Sequence, residues 1–226
     1  MTMIGYAKTY NVPWFIPRQY HHKDIFRLGL PLMRGPKSYR EYHDPWSETT
    51  GYKEIPFHPN GVTLTGFFQS EKYFAHSKDE IHQVFSRLNG RPIVEDSLKD
   101  VCSIHIRRGD YLEYPTRFVT PSVEYIMNAV EIIKSKGCHN FKIYTDDKEW
   151  CKQNFTYEVS QHTDPIEDLI EMAHCEHNII CASTFGWVPA WLNKNPDKVV
   201  VAPKQWFGPD TKLTDKDVIP ETWIRI

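Results

Sequence analysis

The sequence predicts an α/β chain whose C-terminal half is a Rossmann-like parallel sheet, preceded by a shortened α/β lobe. Three observations carry that prediction. Short apolar runs recur at 101–106, 141–144, 177–182 and 198–202. Segments of helical period stand between them, each with a start signal: Thr120-Pro121, Asp146 with Glu149, and Asp164-Pro165 with Glu167. Strands alternating with helices at this spacing are joined by crossovers, and crossovers make neighbouring strands parallel.

In chain order, Ile4 to Tyr10 reads as the tail of a helix and Val12 to Ile16 as a strand closed by Pro17. Residues 18–60 are rich in Pro, His, Tyr and charge and keep no period, so they read as irregular connections. Val62 to Phe67 reads as a buried strand. Ser77 and Glu80 have the spacing of a capping box before a helix with Ile81, Val84, Phe85 and Leu88 on its apolar stripe. After the strand at 101–106, Val123, Ile126, Met127, Val130 and Ile133 give the next helix its buried face, and Gly137 ends it. The last helix is expected over 183–193. The domain boundary falls between 1–95 and 96–226.

Composition narrows the functional classes. Net charge is −2 from 27 basic and 29 acidic residues, so no overall field draws the chain to nucleic acid or anionic lipid. The five cysteines form no Cys-x-x-Cys pair and several sit in apolar runs, which suits a reducing compartment. No run approaches a bilayer span and Met1–Tyr10 lacks the form of a signal peptide, so a soluble, cytoplasmic location is expected, with peripheral membrane association left open. The scattered His and Cys have no zinc spacing. His21, His22 and His43 fall in the irregular stretch and are expected to be exposed.

In parallel sheets ligands lie beyond the carboxyl ends of the strands. The first loop there contains His105-Ile106-Arg107-Arg108-Gly109-Asp110-Tyr111. Its adjacent arginines require compensation, either a phosphate held by the guanidinium fork or an internal pair with Asp110. The second loop is Thr145-Asp146-Asp147, where one aspartate caps a helix and the other is available to hydroxyls. The third, Ser183-Thr184-Phe185, opens a helix, so its hydroxyls either cap or join the backbone N–H groups in an anion site. Arg, Asp and Ser/Thr at one edge suit a nucleoside diphosphate carrying a sugar.

Several segments resemble the family-11 α-1,2-fucosyltransferases. They are 64–74 (LTGFFQSEKYF), His105 to Tyr111, 144–150 (YTDDKEW), 177–187 (HNIICASTFGW), 190–193 (AWLN) and 202–207 (APKQWF), in family order. The resemblance implies a GT-B-like fold, a GDP-fucose donor, no metal, and inversion during transfer of L-fucose to a galactose-type hydroxyl of a glycan. It further implies that Arg107, assisted by Arg108, neutralises the departing phosphate and that Asp110 orients the arginines. His105 and Asp168 would lie near ribose or guanine, and Ser183 and Thr184 at phosphate; Asp146, Asp147 and Phe185 are counted with the donor-binding residues. The family's turn of the type Gly-Gly-Leu-Gly-Asn-Gln does not precede Ile4–Asn11, so a more open donor site is expected. Gly186, Val188 and Pro189 replace the family's usual Ser and Trp-Gly. The alternatives are a non-catalytic protein that binds GDP-sugar or glycan and a transferase using another sugar nucleotide. Glu113 and Asp110 are the carboxylates nearest the arginine pair, without a choice of base between them.

Overall fold

The computed structural model describes residues 1–17, 31, 39–44, 51–88, 91–92 and 98–226; His21 and His22 lie outside them. Contacts divide the chain into two units, Met1–Pro92 with Leu213–Pro220, and Ile93–Lys212 with Glu221–Ile226.

In the first unit α1 (Thr2–Tyr10) is the helix tail expected, closed by Asn11 in the left-handed region at φ 50. Among the described residues Val12–Ile16 forms no strand, and Ile16 donates its N–H to the Pro31 carbonyl. Instead β1 (Arg40–His43), from the stretch read as irregular, pairs in parallel with β2 (Val62–Thr65). His43 is exposed on β1, and β2 is half-buried rather than buried; among the described residues it pairs with β1 alone. α2 (Lys78–Phe85) stops before Leu88, which belongs to the antiparallel pair β3 (Arg87–Leu88) and β4 (Arg91–Pro92). Its capping box is absent. Ser77 has φ −112 and ψ 27 rather than an extended backbone, so its hydroxyl makes no cap and stays buried without a partner.

The second unit follows the predicted alternation: β5 (Leu98–Ile106), α3 (Val123–Lys134), β6 (Asn140–Thr145), α4 (Lys148–Asn154), β7 (Glu158–Val159), α5 (Pro165–His174), β8 (Cys175–Ile179), α6 (Thr184–Leu192), β9 (Val200–Ala202) and β10 (Ile224–Arg225). The sheet order is β10-β9-β8-β5-β6-β7 and every pairing is parallel. This is the mixed α/β, Rossmann-like sheet expected. From β5 the chain builds outward through β6 and β7, then returns to the other side of β5 to place β8, β9 and β10. The strand order therefore reverses between β5 and β8, where open α/β sheets form their ligand crevice.

Ile104 pairs with Ile143 on one side and Ile179 on the other, and with Ile106, Ile126, Val130 and Ile133 they form the core, all fully buried. Met127 leaves the predicted face and is 38% exposed. α3 begins two residues later than Thr120-Pro121 predicts: Ser122 is extended, and its Oγ accepts from the Tyr125 N–H at 3.0 Å. Gly137 ends the helix with φ +96, a conformation few other residues take. Four side-chain bonds tie β8 to its neighbours. Asn178 donates to Ser103 Oγ (2.7 Å) and the Met172 carbonyl (2.8 Å), and Asn193, after α6, donates to Asn178 Oδ1 (2.9 Å) and the Cys175 carbonyl (2.6 Å). Polar groups this deep persist only when paired, and these fix where α6 docks. All five cysteines are buried and free. Among the described residues no helix is long and apolar enough to cross a membrane.

Candidate active site

Because β5, β6 and β8 are parallel, their three following loops open at one edge of the sheet. The loops after β5 and β8 are stitched together. The Tyr111 hydroxyl, in the loop after β5, donates to the Ala182 carbonyl, in the loop after β8, at 3.1 Å. Arg107 and Ser183 are thus neighbours at the reversal point, on the same edge.

The two arginines have different surroundings. Arg108 is 16% exposed; its Nε lies 3.1 Å from Asp147 Oδ2, its guanidinium 3.9 Å from the Trp150 ring centre, and its backbone N–H donates to Asp146 Oδ1 at 2.9 Å. Arg107 is 37% exposed, with Nε 2.9 Å from Asp110 Oδ1 and 3.1 Å from Asp146 Oδ2, and Nη2 2.8 Å from Asp110 Oδ1. Two guanidiniums therefore face three carboxylates. The internal-pair reading of this loop is realised for both, and the phosphate reading survives only where a pair opens cheaply. Asp110 is 55% exposed on a single 3-10 turn, and exposed ion pairs contribute little. Arg107 is the arginine that can turn to an anion; Arg108 is held by packing.

The aspartates exchange their expected parts. Asp147, not Asp146, caps α4, accepting from the Trp150 N–H at 3.1 Å, while Asp146 is taken by the arginine loop. Gly109 permits that approach, since a Cβ there would lie 2.6 Å from Asp146 Oδ2. Asp168 sits in the first turn of α5, beyond β7, and accepts from Ser160 Oγ (2.6 Å) and contacts His162 Nδ1 (3.0 Å).

α6 points its N-terminus at the same edge. Ser183 is buried and caps it through the Phe185 N–H at 3.3 Å, and Thr184 is exposed on its first turn. His105 lies beneath. Its ring is buried, with Phe185 5.5 Å away and Cys181 Sγ 3.3 Å from Nδ1. Burial, then the charge of Arg107, lower its pKa to about 3, so the imidazole is neutral. Burial pushes the Cys181 thiol up to about 12, so this Cys–His pair holds no thiolate. His105 therefore supports the loop from inside the sheet and does not face the cleft as an expected ribose contact would.

Sequence reasoning missed Tyr111, Trp150 and His162. Trp150 stands three residues after a capping aspartate, a visible spacing; Tyr111 and His162 carry no periodic signal. Among the described residues no three His, Cys, Asp or Glu converge as a metal set.

The glycosyl transferase family 11 profile matches residues 36–226. The chain belongs to that family. Among its relatives, an alpha-1,2-colitosyltransferase of Escherichia coli is 29% identical over 184 residues, covering 73% of this chain and 62% of the relative. The O-antigen biosynthesis glycosyltransferase WbnK of Escherichia coli is 30% identical over 195 residues, 74% of this chain and 61% of the relative. Galactoside alpha-(1,2)-fucosyltransferase 1 of Alouatta caraya is 28% identical over 201 residues, 74% of this chain and 53% of the relative. The chain thus aligns with between half and two thirds of these proteins.

Proposed function

We propose that this family 11 chain is an inverting α-1,2-fucosyltransferase that moves L-fucose from GDP-fucose to a galactose-type hydroxyl. The observation that carries the reading is that the loop bearing Arg107 and the loop leading into α6 leave adjacent parallel strands where the strand order reverses, joined by the Tyr111–Ala182 bond. As the acceptor hydroxyl's oxygen bonds to the sugar carbon and gives its proton to the surrounding medium, the bond from that carbon to the diphosphate breaks and negative charge gathers on the leaving phosphate. A guanidinium and a helix N-terminus fixed at that place stabilise the charge as it develops. Arg107 would leave the exposed Asp110 for phosphate, because charge-assisted forked bonds exceed an exposed pair in strength. Asp146 keeps it oriented, and Arg108 with Asp147 holds the loop. Asp168, with His162, lies beyond β7 at the far side of the same edge, suited to ribose or guanine.

Each carboxylate of the cluster faces an arginine rather than a shared vacancy, so the reaction is proposed to need no divalent metal. Transfer from radiolabelled GDP-fucose to a β-galactoside, followed in excess EDTA, tests both statements. Product formed at an unchanged rate is expected. Activity lost to EDTA and restored by Mg²⁺ or Mn²⁺ overturns metal independence, and GDP-fucose left unused on a broad acceptor panel overturns the function.

A further inference from the structure

Tyr111 joins the two loops of the site and has no part in the chemistry above. Its ring and its hydroxyl are held separately. The ring stacks on Phe118, with centres 4.4 Å apart and planes 14° from parallel. Phe118 is itself tied to the chain after β9: it pairs with Phe207 in an antiparallel bridge, and Gly208 and Asp210 donate their N–H groups to the carbonyls of Arg117 (3.0 Å) and Thr116 (3.1 Å). The hydroxyl donates to the carbonyl of Ala182, the residue before the α6 N-cap Ser183. The Arg107 guanidinium lies 5.8 Å from the centre of the same ring, within the range of cation–π attraction.

We infer that Tyr111 is a positioning residue, setting Arg107 and the α6 N-terminus at one spacing so that both meet the outer phosphate of a nucleoside diphosphate. The inference rests on the reading that such a diphosphate carries the donor sugar. The donor breaks at its outer phosphate, so the leaving group is stabilised only by groups aimed at that phosphate together. Arg107 is poorly fixed for this by Asp110, since both side chains are well exposed and an exposed pair restrains little. An uncharged ring attracts the guanidinium without competing for phosphate as a carboxylate does. Burial, the largest cause, raises the pKa of the phenol, so it stays a neutral donor and adds no negative charge beside the site. Its one O–H is committed to Ala182, so Tyr111 acts through its neighbours and not on phosphate itself.

Titration calorimetry of the whole protein with GDP and with GMP tests the role, because the two nucleotides differ by the outer phosphate. The wild type is expected to prefer GDP. Tyr111→Phe, which keeps the ring and loses the hydroxyl, is expected to weaken GDP about tenfold and to leave GMP within about twofold. In an Arg107→Ala background the same change should alter GDP affinity by less than about twofold, since the two residues act as a unit. Loosening of the fold alone weakens both nucleotides alike. Asn140→Ala, which removes a bond to Asp100 at the start of β6, the opposite end of the sheet, controls for lost stability and should leave both affinities unchanged. A wild type without preference for GDP over GMP, a GDP affinity unchanged in Tyr111→Phe, an equal loss of both nucleotides, or a full effect without Arg107 overturns the assignment. Transfer from GDP-fucose, measured alongside, separates the two readings. A preference for GDP lost in Tyr111→Phe while the wild type transfers nothing removes the proposed activity and leaves the positioning role, and transfer by the wild type with the preference intact in the variant does the reverse.

Discussion

Arg107 and Arg108 are adjacent in sequence and opposite in circumstance. The resemblance points to Arg107 for phosphate, and what holds Arg108 back was not legible from the sequence, because it depends on Trp150 and Asp147 arriving from α4. Arg107→Ala is expected to weaken GDP binding by about 2 kcal/mol, roughly thirtyfold, with little change in melting temperature. Arg108→Ala removes a packed cation over an indole and leaves Asp147 without its partner. It should cost about 1–2 kcal/mol of stability, read as a drop of a few degrees in Tm. Arg117, exposed on the connecting loop, serves as a control whose replacement changes neither. His105 makes a different prediction. Its pKa is near 3 when folded and rises to an ordinary value near 6.5 when unfolded, so between those values the unfolded chain binds the extra proton. Stability should therefore fall as pH drops from about 6.5 towards 3, and His105→Gln should flatten that limb of a thermal-melt series.

Among the elements, the buried strands and the amphipathic helices were legible because period and length distinguish them. The two-residue strands β7 and β10 were not, since Glu158–Val159 and Ile224–Arg225 are strands only by virtue of the neighbour they pair with. Caps misled where two candidates stood close together: Asp146 or Asp147, Thr120 or Ser122. The choice follows the backbone angle of each residue and not its type. α6 shows what sequence alone conceals about packing. Gly186 lies so close to β5 that a Cβ would sit 2.5 Å from His105 Nδ1. Restoring the family's usual serine there, Gly186→Ser, should overpack the helix against the ring at about 1–3 kcal/mol. Urea unfolding would show it as a lower midpoint at unchanged slope. An unchanged midpoint would mean that α6 has room to move.

At the scale of the molecule, the parallel sheet and its reversal point turn three separate loop signals into one edge. The loops themselves were readable as residue types, whereas the internal pairing of three carboxylates with two arginines was not, because it joins residues up to 39 positions apart. That pairing makes the central claim demanding: a site with a surplus of carboxylates should bind a diphosphate only if Arg107 is drawn from Asp110 and the α6 N-terminus contributes. Titration calorimetry with GDP, UDP and CDP, on the wild type and Arg107→Ala, measures this directly. The account predicts saturable binding of GDP, weaker binding of UDP and CDP, and loss of most of the GDP affinity in the variant. Wild-type protein indifferent to all three nucleotides, or an Arg107→Ala variant that binds GDP as tightly as the parent, would contradict it.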